Sequence, residues 1–476
     1  MALLLAAVDL AAATRRPLLP AAVGGLAGLV TFLPMLHWVL APAGHVGWVL
    51  LAATQSAWYA LVADQLRRWT RSVWVLALAP LLWTAMEAWR ATFPSSGFGW
   101  GDLAYAHVHG SPLLGAARIV GGYGLTFLTA LIGAGLWLAL AGDARRRVLR
   151  LSGVAAAAAA VAFGVVAAPP APASTTRTVD VLTVQGNDLQ RPGADARADD
   201  VAIAQRMLSE TRRSVREAGR PDLTVWPESS IDRDPFRESG ADLLPFVSDA
   251  AAAVGGQLLF GTNLDGPRPA TFYNAVTLVD RDAVVVDRYV KRRYVPFGEY
   301  VPLRPILGAL PPLRQVPRDG VAGTGPHTIR ADASGVAVVV CFETLFSDVV
   351  RSNIRAADAG LVVAVTNNAS FGRSAQSAQH IAQTQLRAVE TGRWAVHAAL
   401  SGASALVDPD GRVRARTGLF ERATIRADVP VITAETPFLR VGDVVGTTAR
   451  WSGLAFLAYQ LLQRRRRRAR RLQDAA

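Results

Sequence analysis

A multi-span α-helical membrane bundle joined to an α/β domain is the fold class that this sequence predicts. Three observations carry that expectation. Of 476 residues, 51% are hydrophobic and only 18% charged, with a mean hydropathy of +0.25. That balance excludes a disordered chain and argues against a wholly soluble one. Apolar runs long enough to span a bilayer fill the first third of the chain and recur near its end. From Val179 the pattern changes to short Val- and Leu-rich runs separated by turns, which reads as strands. A single cysteine excludes a disulfide framework and a cysteine zinc site.

Spanning a bilayer as a helix takes about 20 mainly apolar residues. Windows that qualify run near 18–41, 46–66, 72–91, 118–141 and 150–169, with a last one near 441–463, interrupted by Asp443 and Arg450. Met1 to about Ala13 is apolar but short and lacks a basic start, so a cleaved signal peptide is not expected; a start set inside a first helix fits. The domains read as 1–171, an N-terminal helix bundle; 172–438, a catalytic domain; 441–463, a C-terminal transmembrane helix; and 464–476, a basic tail. The segment 169–176, rich in Pro, Ala, Ser and Thr, is the linker from membrane to domain.

The net charge of +13 first suggests a nucleic-acid binder, but its location says otherwise. Sixteen arginines sit in four short clusters, at 15–16, 67–71, 145–150 and 464–471, and without them the charge falls from +13 to −3. Counting spans alternately puts all four clusters on one side, while the loops 42–45 and 92–117 hold no Lys or Arg. Short cytoplasmic loops carry the excess of basic residues. The clusters therefore orient the chain and put the polar region 172–438 on the outer face. The terminal run Arg464–Arg468 can also touch anionic lipid. No aromatic residues interleave with it, so nucleic acid is not an expected partner.

In the outer region, strand-like runs cover 179–185, 222–228, 257–262, 274–280, 284–291, 335–343 and 361–368, and helical stretches cover 197–219, 241–255 and 375–391. Near-continuous apolar strands alternating with helices imply an α/β sheet buried on both faces. Three polar residues stand out because each closes an apolar strand: Glu228, Lys291 and Cys341. Strand ends are where α/β folds collect their chemistry. Singly, each has an ordinary reading: a helix-start charge, a solvated surface charge and a small buried hydrophobe. Composition sharpens the choice. Lys and Arg number 50, yet Lys291 is the only lysine, and Cys341 is the only cysteine. Keeping one lysine suggests a site where a compact point charge is needed and a guanidinium will not serve.

The chemistry of the three is complementary. A thiolate attacks a carbonyl, but a thiol is mostly protonated at neutral pH. A carboxylate such as Glu228 can take that proton and return it to the leaving group. The tetrahedral oxyanion then needs a positive donor, which an ammonium supplies. Glu, Lys and Cys make a complete acyl-transfer set without histidine.

The motifs WPES (226–229), VKRRYVPFGEYVP (290–302), CFE (341–343) and TNNASFG (366–372) resemble the nitrilase/carbon–nitrogen hydrolase superfamily. Within it, the lysine-to-VPFGEYVP run plus a multi-span membrane part is similar to the apolipoprotein N-acyltransferase family, as is the stretch 97–128. The resemblance implies a nitrilase-like αββα sandwich and a Glu–Lys–Cys triad. Glu228 would be the general base, Lys291 the oxyanion stabiliser and Cys341 the nucleophile that carries the acyl thioester. Glu299 would be the second essential carboxylate and Glu343 the one two residues past the nucleophile; a structural ion pair is the alternative for both. Positions 341 and 343 share a face if the strand continues. The resemblance further implies an acyl donor drawn from membrane phospholipid, an acceptor in the N-terminal amine of diacylglyceryl apolipoproteins, and a multi-pass protein of the bacterial inner membrane. The chain is read as a monomer. Departures are Phe342 in place of a tyrosine, Ser370 in place of a tryptophan, and no tryptophan soon after 184–187. They fall on lid and lipid contacts, away from the triad.

Other signals are weak. His107 and His109 lie two apart without partners for a metal site, and GGYG (121–124) reads as close helix packing. There is no P-loop, and no cofactor is expected. Two other functions compete with acyl transfer. A membrane-tethered nitrilase-type amidase would act on a soluble amide without an amine acceptor. A transporter or scaffold with an inactive outer domain would need polar residues within the spans, where Glu87 and a few others are too sparse for a pathway.

Overall fold

The structure, a computed structural model, describes residues 1–141, 147–166, 168–173, 177–188 and 196–473. Arg145, Arg146 and the end of the linker 169–176 lie outside the described residues. The chain forms two compact units. One comprises Met1–Met35, Val49–Pro169 and Asp443–Ala476; the other comprises Leu36–Trp48 and Pro170–Gly442.

The first unit is helical because its sequence is apolar on nearly every side. Its helices are α1 (Ala2–Ala13), α2 (Leu19–Met35), α3 (Leu40–Leu66, whose first residues belong to the other unit), α4 (Val75–Arg90), α5 (Ala117–Ala141) and α6 (Arg147–Val166). By length and composition, His37–Leu66, Leu114–Ala141 and Arg147–Val166 are apolar and long enough to cross a membrane, while α1 and α2 are shorter apolar helices. The expected span near 72–91 is the 16-residue α4. Gly121 of the GGYG motif, at φ +66, breaks the helical geometry of α5. Tyr123 of that motif packs closely on Gly446, where a Cβ would stand 2.5 Å from its ring, and a Cβ on Gly135 would lie 2.5 Å from the Gly153 carbonyl oxygen. Bulk at that point would push α5 and α6 apart.

Glu87 is not isolated in this unit. It accepts from Trp83 Nε1 at 2.9 Å, Thr126 Oγ1 at 2.6 Å and Leu103 N at 3.1 Å. Arg90 beside it pairs with Asp102 and donates to Gln55 Oε1 and to the Phe98 and Trp100 carbonyls. The cluster closes on itself, which is the arrangement of a structural clamp. In the 92–117 loop, His107 spends both ring nitrogens on Ser111 and Thr129 hydroxyls at 2.8 and 2.7 Å.

The second unit begins with β1 (Thr178–Gln185), α7 (Ala196–Ala218), β2 (Leu223–Ile231), α8 (Leu244–Val254), β3 (Gln257–Asp265), β4 (Thr271–Val279) and β5 (Val285–Val290). After α9 (Arg304–Leu307) and β6 (Asp319–Gly320) come β7 (Ile329–Arg330), β8 (Gly335–Val340), α10 (Ser347–Arg355), β9 (Leu361–Thr366), α11 (Gln376–Thr391) and β10 (Ala395–Ala399). The unit closes with β11 (Ala405–Val407), β12 (Val413–Arg416), β13 (Ala423–Pro430) and α12 (Pro437–Val441). One helix, α13 (Val444–Gln473), then returns to the first unit and carries the basic run with it.

The strands form two mixed sheets, ordered β13-β1-β2-β3-β4-β5, with β6 on β4, and β12-β11-β10-β9-β8-β7. In each, three adjacent strands are parallel, β1-β2-β3 and β8-β9-β10, and the flanking strands run antiparallel. Two-residue alternation explains the layers. Val179, Val181, Leu223, Val225 and Leu259 meet Val336, Val338, Val340, Val363 and Val365 in one buried cluster between the sheets. The opposite faces of the first sheet, with Leu182, Val184, Trp226 and Phe260, bury Ile203, Met207 and Val247 of α7 and α8. The result is the expected helix–sheet–sheet–helix sandwich.

Candidate active site

Glu228 sits in β2 where its pairing with β3 shifts register between Trp226 and Ile231. A bulge there re-aims the side chain, and Gly261 opposite makes room for it. A Cβ on Gly261 would stand 2.6 Å from Glu228 Cα. Glu228 Oε1 accepts from Asn274 Nδ2 at 2.7 Å and Lys291 Nζ at 3.5 Å, and Oε2 accepts from Asn367 N at 2.8 Å.

Lys291 follows β5 directly and is fully buried. Its Nζ donates to Glu299 Oε1 at 2.7 Å and lies 5.6 Å above the centre of the Tyr294 ring. Burial works against the ammonium, but the carboxylates of Glu299 and Glu228 outweigh it and hold the group well above its usual range. Glu299 is anchored by Val295 N on Oε2 at 2.8 Å and by Asn274 Nδ2 on Oε1 at 3.2 Å.

Cys341 comes immediately after β8 and adopts φ +48, the left-handed region that a residue with a Cβ enters only when its surroundings hold it there. The residue keeps some exposed surface. Its thiol is nevertheless pushed well up by burial and then by the Glu228 carboxylate; the Lys291 ammonium and the Thr366 hydroxyl oppose the shift without cancelling it. The thiol rests protonated and needs a base.

Glu343 is placed differently from the expectation. β8 stops at Val340 and residues Cys341–Leu345 form a 3-10 turn, so positions 341 and 343 do not share a strand face. The left-handed Cys341 departs from extended strand geometry, and pairing ends before it. Glu343 is instead fully buried and accepts from Arg292 N at 2.7 Å, Arg293 N at 3.1 Å, Val340 N at 2.9 Å and the Tyr289 hydroxyl at 2.9 Å. It ties the Lys291 segment to the Cys341 turn. Burial raises its carboxyl above the usual range while the backbone N–H groups pull the other way. For Glu299 and Glu343, the ion-pair alternative divides: Glu299 pairs with the ammonium, and Glu343 is held by N–H and O–H donors.

The Apolipoprotein N-acyltransferase N-terminal domain family matches residues 1–135, and the Carbon-nitrogen hydrolase family matches residues 186–436. A curated Apolipoprotein N-acyltransferase of Geobacter metallireducens is 32% identical over 88% of this chain and 83% of its own length. The chain belongs to the apolipoprotein N-acyltransferase family. Another family member, from Mycolicibacterium smegmatis, is 31% identical over 92% of this chain and 77% of its own length. Among solved structures, an amidase from Nesterenkonia sp. aligns at 17% identity with a TM-score of 0.42, over 59% of this chain and all of that one. The family assignment rests on the sequence matches and not on that likeness.

Sequence reasoning missed the residues that hold these side chains in place. Asn274 bridges both carboxylates, and the signal for it was an amide inside an apolar strand, which requires a buried partner. Tyr289, two residues before Lys291, carries no comparable signal. Nor does His380, which meets the Cys341 carbonyl and Thr344 Oγ1, 39 and 36 residues away.

Proposed function

We propose that this membrane protein transfers an acyl chain from a phospholipid to the α-amino group of the diacylglyceryl-cysteine that begins an apolipoprotein. The observation that carries this reading is one buried ammonium, Lys291, between the Glu228 and Glu299 carboxylates and within electrostatic reach of the Cys341 thiol. Family membership and the names of its relatives support the choice of acceptor.

In the first half-reaction Glu228 takes the thiol proton as Cys341 Sγ attacks the ester carbonyl carbon. Lys291 stabilises the oxyanion. The intermediate collapses to a thioester, and the glutamic acid returns its proton to the departing lysophospholipid oxygen. In the second, the amine attacks the thioester carbon, Glu228 accepts the amine proton, and the thiol is restored. Excluding water from the thioester favours the amine over hydrolysis. Arginine asymmetry supports a multi-pass arrangement with the α/β unit on the periplasmic side of the inner membrane. One chain supplies the whole residue set, so a monomer suffices.

The test is mass spectrometry of the protein incubated with a phospholipid labelled in its acyl chain. An adduct on Cys341 is expected without acceptor, and transfer to a diacylglyceryl-cysteine peptide on its addition. Label release as free fatty acid at an undiminished rate by the Cys341→Ala protein would overturn the reading.

A further inference from the structure

The left-handed backbone at Cys341 raises the question of what holds it. Thr344 and His380 both reach the Cys341 carbonyl: Thr344 Oγ1 at 3.0 Å and His380 Nε2 at 3.0 Å. The threonine hydroxyl has one proton and also faces Gln383 Oε1 at 2.8 Å, the shorter of its two acceptors. His380 Nε2 also lies 3.0 Å from Thr344 Oγ1, which, with its proton on Gln383, can only accept. A carbonyl oxygen has no proton to give, so Nε2 of His380 must carry one.

His380 is buried within α11, and burial drops its pKa to about 4, so the ring stays neutral and Nδ1 is an acceptor. Nδ1 faces Thr366 Oγ1 at 3.4 Å and Asn368 Oδ1 at 3.3 Å, and the Thr366 hydroxyl donates to that same Oδ1 at 3.0 Å. The ring thus meets the nucleophile at its backbone carbonyl.

We propose that His380 is a positioning residue for the nucleophile: Nε2–H fixes the Cys341 carbonyl in the turn that presents the sulfur. This rests on Cys341 being the acylated residue. His380 touches no substrate and moves no proton in the reaction.

Three variants separate this role from simple packing. In His380→Gln the amide nitrogen reaches where Nε2 stands, in His380→Asn it reaches only where Nδ1 stands, and His380→Ala has neither. The measurement is the single-turnover rate of Cys341 thioester formation at saturating labelled phospholipid, alongside thermal unfolding. We expect Gln within about threefold of the parent, and Asn and Ala at least about tenfold slower. A structural role alone would order the variants by stability, with rates unchanged in the folded fraction. Ala at the parent rate, or Asn as fast as Gln, overturns the proposal. If Ala does not fold, the Gln–Asn comparison decides. A parent protein that forms no Cys341 adduct would instead remove the acyl-transfer reading.

Discussion

At Cys341 the fold holds back the reactivity it needs. Burial and the Glu228 carboxylate disfavour the thiolate more than Lys291 and Thr366 favour it. Below a raised pKa the thiolate fraction rises about tenfold per pH unit, so alkylation by iodoacetamide should climb without levelling from pH 7 to about pH 10. A plateau by about pH 9 would show a thiol of ordinary acidity and remove the need for a base. Lys291 gives a second expectation. Its Nζ is enclosed between two carboxylates and a tyrosine ring, with no exposed surface. A guanidinium keeps the charge but is bulkier and donates along fixed directions. Lys291→Arg should fold and insert, yet form the thioester at least about a hundredfold more slowly. A rate within about threefold of the parent would sink the oxyanion role. Both residues were legible because each is the only one of its type. Asn274 and Tyr289 were not, since their meaning lies in partners 46 and 54 residues away.

Strands were legible as elements, and their ends were not. The apolar run Val336–Val340 gives no sign of where pairing stops, so an extended segment to 343 was expected and a 3-10 turn was found. What ends the strand is non-local: Glu343 draws in the N–H groups of Val340, Arg292 and Arg293. Glu343→Gln tests that junction. An amide nitrogen in place of one oxygen faces N–H groups it cannot accept from, and a buried donor left unsatisfied costs about 1–3 kcal/mol. We expect a lower unfolding midpoint and a slower thioester step together, because the same contacts place Lys291 and Cys341. An unfolding midpoint and acylation rate equal to the parent's would show that Glu343 does not connect the two segments. The β2 bulge at Glu228 is the same kind of feature, set by Gly261 on the neighbouring strand.

For the molecule as a whole, sidedness is the open quantity, and the arginine clusters predict it. In a Cys341→Ala background a single cysteine can be placed at Arg281, exposed in the β4–β5 turn, or at Arg68, exposed after α3. A membrane-impermeant maleimide applied to intact spheroplasts should label Arg281→Cys at once and Arg68→Cys only after permeabilisation. The reverse pattern would invert the topology. Glu87, read from the sequence as one of a few polar residues too sparse for a pathway, belongs to a closed cluster with Thr126 and Trp83, beside the Arg90–Asp102 pair. Removing one partner of such a buried pair leaves a charge without compensation.

Composition, hydropathy and the arginine pattern determined by themselves that helices bound for a membrane precede an α/β domain, because those signals are local and additive along the chain. The isolated lysine and cysteine marked the chemistry for the same reason. Only the tertiary structure decided how that chemistry is held. Two mixed sheets bring the interior of β2 and the ends of β5 and β8 together, and a left-handed turn, a bulge and a buried histidine aim what they carry. Each depends on contacts between residues far apart in sequence, where no periodicity records them.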